Sequence, residues 1–333
     1  MVKLSVLDQS PIRSGGTARE AIQETLALAE ATDRLGFHRY WLAEHHSSSG
    51  LASATPEILI GQVAARTQRI RVGSGGVMLS HYSSLKVAET FRMLEALHPG
   101  RIDLGVGRAP GSDRRTAAAL AHGPGALGIE HYPEQIHDLY AFLTDEFPPG
   151  HPFRGIRAMP DGDTQPELWL LGSSTPSAEY AAHFGWGFSF AHFISPEGGE
   201  SIVHGYRRRF RPNGPYAEPR ASIGVSVTCA ETEQEAERLA WSRWCWRVMA
   251  GDPDRRGIPP PEEAMAYPYD SSERAYLEQM RRTAIYGDPK QVKEKLDLLG
   301  AIYGVDEFVI VTITYDFAAR VRSYELLAEA YGL

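Results

Sequence analysis

Eight short apolar runs recur along this chain of 333 residues, and a segment with helical periodicity follows each of them. The runs are apolar on both faces, which is typical of strands buried in a parallel sheet. They lie at residues 4–7, 39–43, 70–79, 102–106, 168–171, 188–191, 223–228 and 308–312. Eight strand–helix units in one chain predict an α/β fold of the (β/α)8 barrel type, and the length suits that fold with insertions.

A doubly wound sheet also alternates strands and helices, so the count of eight decides in favour of the barrel. No shift in composition marks a boundary, and we therefore predict a single domain over residues 1–333. The longest stretch without a clear period is 251–272, which is rich in proline and in charges of both signs. A loop of this length in a compact fold is often functional, and we predict a mobile lid there.

Composition excludes several classes of protein. The net charge of −8 argues against a nucleic-acid groove or an anionic membrane surface as partner. Two cysteines, Cys229 and Cys245, are too few for a disulfide framework, and we expect both to be small buried side chains. The first residues lack a signal-peptide pattern, and no run is long enough to span a bilayer. We therefore expect a cytoplasmic protein.

Active sites of (β/α)8 barrels form just beyond the C-terminal ends of the strands. None of the five lysines lies at a predicted strand end, which argues against Schiff-base and pyridoxal chemistry. Neighbouring side chains at a strand end point to opposite faces, so His45 and His46 are not predicted to share a metal. The polar or glycine candidates at strand ends are Asp8, Gln9, Ser10, Glu44, His45, His46, Ser74, Gly75, Gly76, Arg108, Ser173, Ser174, Ser177 and His192.

Two of these strand ends suit a phosphate group. The turn 171–177 (LGSSTPS) brings hydroxyls and backbone N–H groups to the start of a helix, where anions are favoured. The alternative is ordinary helix capping, which needs one hydroxyl only. Arg108 follows the fourth strand, where a guanidinium suits a phosphate or the edge of a flavin ring. A structural ion pair is its alternative.

Glycines interrupt the third strand at Gly73, Gly75 and Gly76. Glycine within a strand indicates a bulge or a close approach to the backbone, for example by a flat ring. A bend of the barrel wall is an equally good explanation. The run 105–111 (GVGRAPG) has the wrong spacing for a dinucleotide fingerprint, and Pro110 interrupts it where a helix would begin.

These segments together resemble the bacterial-luciferase-like, flavin-dependent monooxygenases. The resemblance spans almost the whole chain and is carried by the order and spacing of several motifs. They are 36–46 (GFHRYWLAEHH), 72–79 (VGSGGVML), 99–108 (PGRIDLGVGR), 172–185 (GSSTPSAEYAAHFG) and 286–289 (YGDP). Within the family, the chain most resembles oxygenases that tailor aromatic polyketides in actinomycetes, such as those of the mensacarcin pathway.

The resemblance implies a luciferase-like (β/α)8 barrel that uses reduced FMN and O2. In such enzymes a separate flavin reductase supplies the FMN, oxygen is trapped as a flavin C4a-hydroperoxide, and the chain forms a homodimer. The substrate would be a small organic molecule, here with an aromatic polyketide of antibiotic biosynthesis as the expectation.

Carried over by position, the same resemblance makes His45 the acid/base group near the flavin. It makes Gly75 and Gly76 a pair joined by a cis peptide behind the flavin ring. The remaining flavin contacts, including the phosphate clamp of Arg108 and the serines, are Glu44, Ser74, Arg108, Ser173, Ser174 and Ser177. No metal is implied.

Two other functions remain open from the sequence. The same barrel superfamily includes oxidoreductases that use the deazaflavin F420 and no O2. A second alternative is a flavin-binding protein without catalytic activity, although the presence of His45 argues against it.

Overall fold

The structure is a computed structural model that describes residues 2–108, 113–120, 128–250 and 257–333. Within these residues the chain forms short strands separated by helices. The strands are β1 (Lys3–Asp8), β2 (Arg39–Leu42), β3 (Arg71–Ser74), β4 (Val77–Met78), β5 (Ile102–Gly107), β6 (Glu167–Gly172), β7 (Gly187–Ala191), β8 (Ala221–Cys229), β9 (Ile285–Gly287) and β10 (Glu307–Val311).

The helices surround these strands. In the described ranges, none of them is both long enough and apolar enough to cross a membrane. They are α1 (Ala18–Leu35), α2 (Pro56–Arg66), α3 (Ser84–Leu97), α4 (Arg114–Leu120), α5 (Tyr132–Thr144), α6 (Thr175–Phe184), α7 (Gly199–Arg209), α8 (Glu233–Val248), α9 (Pro261–Ala266), α10 (Ser271–Thr283), α11 (Pro289–Tyr303) and α12 (Phe317–Tyr331).

Eight parallel strands close into a barrel in the order β10–β1–β2–β3–β5–β6–β7–β8, because β8 pairs back onto β10. These are the eight strands predicted from the sequence, so the (β/α)8 fold is confirmed. The helices begin where the local signals place them: Thr17 and Glu20 form a capping box before α1, and Asp288 caps α11 with Pro289 in its first turn. Cys229 and Cys245 are buried free thiols, as expected.

A cluster of ion pairs fills the N-terminal end of the barrel. Arg39 on β2 is 3% exposed, and its Nη1 lies 2.7 Å from Asp103 Oδ2. Its Nε donates to Glu307 Oε1 at 2.6 Å, and Ser5 Oγ donates to the same carboxylate oxygen. Arg71 Nε donates to the other oxygen of Asp103 at 2.7 Å. The charges neutralise one another, so this end of the barrel is closed and the opening lies at the C-terminal ends of the strands.

An apolar layer separates the ion pairs from the opening. Leu7, Trp41, Trp169 and Val309 point inward from four strands and pack against each other. The indole Nε1 of Trp41 donates to Asp103 Oδ2 at 2.8 Å, which ties this layer to the charges below it. The larger core lies outside the barrel, between the strands and the helices. The barrel is therefore packed through its lower half, and ligands have room only at the C-terminal face.

The structure departs from the prediction within the third predicted strand and after the seventh predicted strand, which is β8. The run predicted as one strand over 70–79 is divided into β3 and β4, with Gly75 and Gly76 between them. The sequence reading also missed β9, which lies beside the C-terminal end of β8, because three residues are too few for a recognisable period. Helices α4 and α10 were missed as well.

The prediction of an irregular segment over 251–272 is wrong for its described part. Residues 251–256 lie outside the described residues. After them, Ile258 is fully buried and pairs with Arg13, and α9 follows with Pro261 in its first turn. Ala264 is fully buried and packs with Cys245 of α8, which anchors α9 and explains why a short proline-rich stretch is helical. The role of 251–272 as a lid stays a prediction.

Candidate active site

A cavity of about 280 Å³ opens at the C-terminal ends of the strands. Its wall combines apolar side chains with a few polar groups, as small-molecule sites usually do. Eight of the nine flavin and acid/base residues predicted from the sequence line it: Glu44, His45, Gly75, Gly76, Arg108, Ser173, Ser174 and Ser177. The ninth, Ser74, is fully buried beside it, and its Oγ donates to the carbonyl of Gly105 at 2.8 Å.

His45 follows β2 and lines this cavity. Its backbone N–H donates to the carbonyl of Ser53 at 2.9 Å, which fixes the chain after the strand. Its ring Nδ1 is buried, and no described group forms a hydrogen bond with it. Burial, with a smaller contribution from His46, lowers the pKa of His45 to about 4. Burial favours the uncharged form of this imidazole, so His45 is neutral at pH 7.

Glu44 braces the loop that carries His45. The carboxylate is 1% exposed, and it accepts hydrogen bonds from Tyr82 Oη at 2.7 Å and from the backbone N–H of Met78 at 3.0 Å. His46 Nε2 lies 2.7 Å from the same carboxylate. His46 therefore faces Glu44, whereas His45 lines the cavity, so the two adjacent side chains point in different directions. Glu44 lines the cavity, and its oxygens connect the loop after β2 to β4 and to Tyr82.

The depressed pKa of His45 predicts a pH dependence of stability. The folded value of about 4 lies below the ordinary value of 6.5, so the unfolded chain binds more protons between these two pH values. Stability should therefore fall as pH drops through this window. Urea unfolding at pH 7 and pH 4.5 should show a larger loss for the wild type than for His45→Gln, by up to about 3 kcal/mol. Equal losses in the two proteins would contradict the buried, neutral state of His45.

Gly75 and Gly76 are joined by a cis peptide bond, as the resemblance implied. A Cβ atom on Gly75 would lie 2.6 Å from Leu7 Cδ1, and one on Gly76 would lie 2.6 Å from the carbonyl oxygen of Gly105. A side chain on Gly76 would therefore collide with backbone, and one on Gly75 would have to displace Leu7. The cavity wall here consists of backbone, which leaves a flat surface on the strand-three side.

Other glycines of this wall have a structural reason. A Cβ on Gly73 would lie 2.3 Å from the carbonyl oxygen of Asp103, and one on Gly105 would lie 2.3 Å from that of Ser74. Both glycines allow β3 and β5 to approach closely. The barrel-wall explanation thus holds for Gly73, whereas the ligand explanation remains for Gly75 and Gly76, which line the cavity.

The serine turn joins β6 to α6 and forms one end of the cavity. Ser174 is the N-cap of α6, but its side chain forms no capping hydrogen bond to the helix backbone. Its Oγ instead lies 3.2 Å from Ser177 Oγ. A Cβ on Gly172 would lie 2.5 Å from Ser177 Oγ, so glycine makes room for that hydroxyl. The serines are therefore not explained by helix capping, and they fit an anion at the helix N-terminus.

Arg108 completes this end of the cavity from β5. Its positive charge acts on the nearby phenol of Tyr132, whose pKa is raised above its ordinary value by burial in spite of that charge. The Tyr132 hydroxyl is buried and has no hydrogen-bond partner among the described residues. A cation, several hydroxyls and a helix N-terminus thus converge at one end of the cavity, which suits a phosphate monoester.

Several cavity residues were not found from the sequence. Gln9, although named at the first strand end, was given no role, and Ser189, Phe193 and Gly224 were not considered. Ser189 and Gly224 lie inside β7 and β8, where alternate residues face the barrel interior. Counting inward positions along each strand, instead of strand ends alone, would have found them.

One group of potential metal ligands lies outside this cavity. In the described part of the chain, His137, Asp138 and His151 have ligand atoms within 4.8 Å of one another. The Nε2 of His151 faces Asp138 Oδ1 at 3.1 Å, and its Nδ1 accepts from the backbone N–H of Phe153. Both nitrogens of His151 therefore already have a polar partner, and the group is explained as a link between α5 and the segment that follows it.

Comparison with known proteins identifies the family of the chain. Residues 2–306 match the luciferase-like monooxygenase family. YceB of Bacillus subtilis is 45% identical, with 99% of this chain and 100% of that protein covered. The N-acetyl-S-alkylcysteine monooxygenase of B. subtilis is 39% identical, with 99% of this chain and 98% of that protein covered. The chain belongs to the luciferase-like monooxygenase family.

Solved structures support the same assignment. The crystal structure of apo-MsnO8 superimposes with a TM-score of 0.89 at 38% identity, covering 100% of this chain and 99% of that one. More distant barrels share the fold only. They include a 3,6-diketocamphane monooxygenase constituent from Pseudomonas putida in complex with FMN, at 19% identity and a TM-score of 0.71. They also include an F420-dependent secondary alcohol dehydrogenase, at 12% identity and a TM-score of 0.71. This luciferase-like monooxygenase is thus an oxygenating enzyme. Its barrel fold is also found in F420-dependent enzymes.

Proposed function

We propose that this luciferase-like monooxygenase uses reduced FMN, supplied by a separate reductase, to insert one oxygen atom of O2 into a small organic substrate. The observation that carries the proposal is the division of one cavity into two ends. Arg108 and the serine turn form an anion site at one end, and His45 with the Gly75–Gly76 backbone forms the other. FMN has the matching parts, a phosphate and a flat ring.

The residues of this chain would bind and enclose the cofactor. Arg108, Ser174 and Ser177 would hold its phosphate, and the backbone at Gly75 and Gly76 would lie against the ring. Reduced FMN supplies the electrons with which O2 is activated. Apolar side chains such as Trp41 and Leu171 exclude water from the reacting atoms. His45 is neutral at pH 7, so its unpartnered Nδ1 can exchange a proton there.

The separate reductase is part of the proposal because the family resemblance implies it. The proposal also includes a homodimer, which the family resemblance implies, and a location in the cytoplasm. It also includes an aromatic polyketide of antibiotic biosynthesis as substrate, because the chain resembles oxygenases of that group. The name of the 39% identical B. subtilis relative indicates a thioether acid instead, so both substrate types belong in the first assays.

The oxygenation itself is tested with labelled oxygen. Purified protein, FMN, NADH and a flavin reductase are incubated under 18O2 with an aromatic polyketide or N-acetyl-S-benzylcysteine. Mass spectrometry should show one 18O atom in the product. Turnover with reduced F420 in the absence of O2 would establish the deazaflavin alternative. Binding of flavin without conversion of any substrate would establish a noncatalytic protein.

The phosphate site predicts a selective effect of Arg108→Ala. A hydrogen bond between charged groups contributes about 1.5–3 kcal/mol, so the variant should bind FMN about 10- to 100-fold more weakly. Riboflavin, which has no phosphate, should bind both proteins alike. Anaerobic titration with the two reduced flavins measures this.

Arg209→Ala is the matched control, because Arg209 lies on α7 outside the cavity, is 60% exposed, and pairs with Glu179. Its flavin affinities should equal those of the wild type. Equal weakening of FMN and riboflavin by Arg108→Ala would show that Arg108 supports the fold instead of binding phosphate. Wild-type affinity for FAD equal to that for FMN would also count against a dedicated phosphate site.

A further inference from the structure

A second, smaller cavity lies at the mouth of the barrel beside the first. It measures about 60 Å³ and contains polar groups from three directions. Phe193 lines both cavities, and Ser226 of the small one lies two residues beyond Gly224 of the large one, on the same face of β8. The small cavity is therefore the next layer outward, and Phe193 stands between the two.

Arg243 of α8 gives this small cavity an uncompensated charge. Its Nε is buried and forms no hydrogen bond, and no carboxylate pairs with its guanidinium within the described ranges. Burial, together with the positive charge of Arg247, lowers the pKa of Arg243 to about 9. Arg247 lies one helical turn further along α8, and its Nη2 donates to a neutral group, Tyr276 Oη, at 3.2 Å.

Other arginines of the chain show how unusual this is. Arg320 is 2% exposed and pairs with Asp8 at 2.7 Å, and Arg39 pairs with Asp103 and Glu307. A buried charge is unfavourable unless it is paired, so buried arginines normally have a carboxylate beside them. Among the described residues, neither of these two neighbouring arginines has a carboxylate beside it, so the site suits an anion from outside the described part of the chain.

We infer that this cavity binds the carboxylate group of an acidic substrate. Arg243 and Arg247 would supply the charge, and Ser226, Thr283 and His192 also line the cavity with polar atoms. Burial lowers the pKa of His192, so its imidazole is neutral and can donate one hydrogen bond. The volume corresponds to about two water molecules, which admits a carboxylate and excludes a flavin ring.

We assign the small cavity to a substrate group and not to the cofactor phosphate, because different elements form it than form the phosphate site. The phosphate site of the proposed function is formed by β5, β6 and α6, whereas this cavity is formed by β7, β8, α8 and α10. An acid held here would extend past Phe193 toward the space in front of His45. The inference rests on the proposed function, since it assigns the large cavity to the flavin.

The binding test uses butyrate and butyramide, which have nearly the same shape and differ in charge. Tryptophan fluorescence reports on the cavity because Trp244 lines it. The wild-type protein with bound FMN should bind butyrate saturably, and butyramide at least about 10-fold more weakly. Equal affinity for the two, or no saturable binding of butyrate, would overturn the inference.

Arg243→Met separates the site from the fold. The variant should lose at least about 10-fold in butyrate affinity. Its melting temperature without butyrate should equal or exceed that of the wild type, because an unpaired buried charge is removed. Arg282→Met on α10 is the matched control, since Arg282 is exposed, does not line the cavity, and changes the net charge equally. Retained butyrate affinity in Arg243→Met, or equal losses in both variants, would overturn the inference.

FMN affinity distinguishes this inference from the proposed function. Arg243→Met should bind FMN as tightly as the wild type. Weaker FMN binding with unchanged riboflavin binding would show that the small cavity holds the cofactor phosphate, which would overturn both the inference and the role of Arg108. If Arg108→Ala behaves as proposed and butyrate does not bind, the FMN proposal stands and the acidic substrate is excluded.

Discussion

Replacing His45 with alanine should lower the rate of product formation by about 100-fold or more while FMN affinity stays within a few-fold of the wild type. The physical reason is position and protonation state together. His45 lines the large cavity, its Nδ1 has no partner among the described groups, and its pKa is lowered to about 4. A neutral imidazole keeps one N–H donor and one lone-pair acceptor at pH 7, so in the proposed flavin cavity it can hydrogen-bond to the reacting atoms and relay a proton, which alanine cannot do.

The measurement is a stopped-flow time course with whichever assay substrate the wild type converts, together with the hydrogen peroxide released per flavin oxidised. His46→Ala is the neighbouring control. His46 contacts Glu44 and does not line the cavity, so its loss should reduce the rate only several-fold. A purely structural role of His45 would instead lower the melting temperature, with activity falling in proportion to folded protein. Wild-type turnover in His45→Ala would exclude the acid/base assignment.

The second large effect concerns the closed end of the barrel. Arg39→Met should reduce the free energy of unfolding by about 3–5 kcal/mol, because it leaves buried carboxylates without their shared cation. Arg39 contacts Asp103 at 2.7 Å and Glu307 at 2.6 Å, and its guanidinium lies 4.7 Å from the ring centre of Trp169. Methionine restores none of these contacts. Urea unfolding at pH 7 measures the loss.

Arg220→Met provides the matched control for Arg39. Arg220 also faces a carboxylate of this end, Glu167, but at 3.5 Å and with half of its side chain exposed. An exposed pair of this kind contributes less than about 1 kcal/mol. FMN affinity should be unchanged in the folded fraction of both variants, since neither arginine lines the large cavity. If both variants lost the same free energy of unfolding, the buried ion pairs of Arg39 would stabilise the fold no more than the exposed pair of Arg220 does.

The barrel could be predicted because its signals are local. Each of the eight strands is a short apolar run, and the helices carry their own start signals, such as Thr17 with Glu20 before α1. The strand β9 has only three residues, and α9 is a proline-rich helix anchored by the burial of Ala264. Such elements form because of what they pack against, and a local pattern does not contain that information.

The candidate site was predicted in part for a similar reason. In this fold the strand ends meet at one face, so His45, Arg108 and the serine turn could be expected to converge there. Their convergence in one cavity agrees with that expectation. The protonation state of His45 could not be expected, because it depends on the burial that the surrounding strands impose. The residue type alone predicts the ordinary pKa of 6.5, and burial in the folded protein lowers this pKa to about 4.

The amino-acid sequence by itself determined the order of most strands and helices, the (β/α)8 class, the luciferase-like family and most of the polar residues that line the large cavity. Those features follow from periodicity, from turn residues and from motifs whose spacing is preserved along the chain. Only the tertiary structure decided which charges are paired. Arg39 and Arg243 are the same residue type in the sequence. Arg39 lies among carboxylates at the base of the barrel, whereas Arg243 faces a small cavity whose described lining contains no carboxylate. Pairing depends on residues far apart in the chain, Arg39 and Glu307 for example, and such contacts exist only once the barrel has closed.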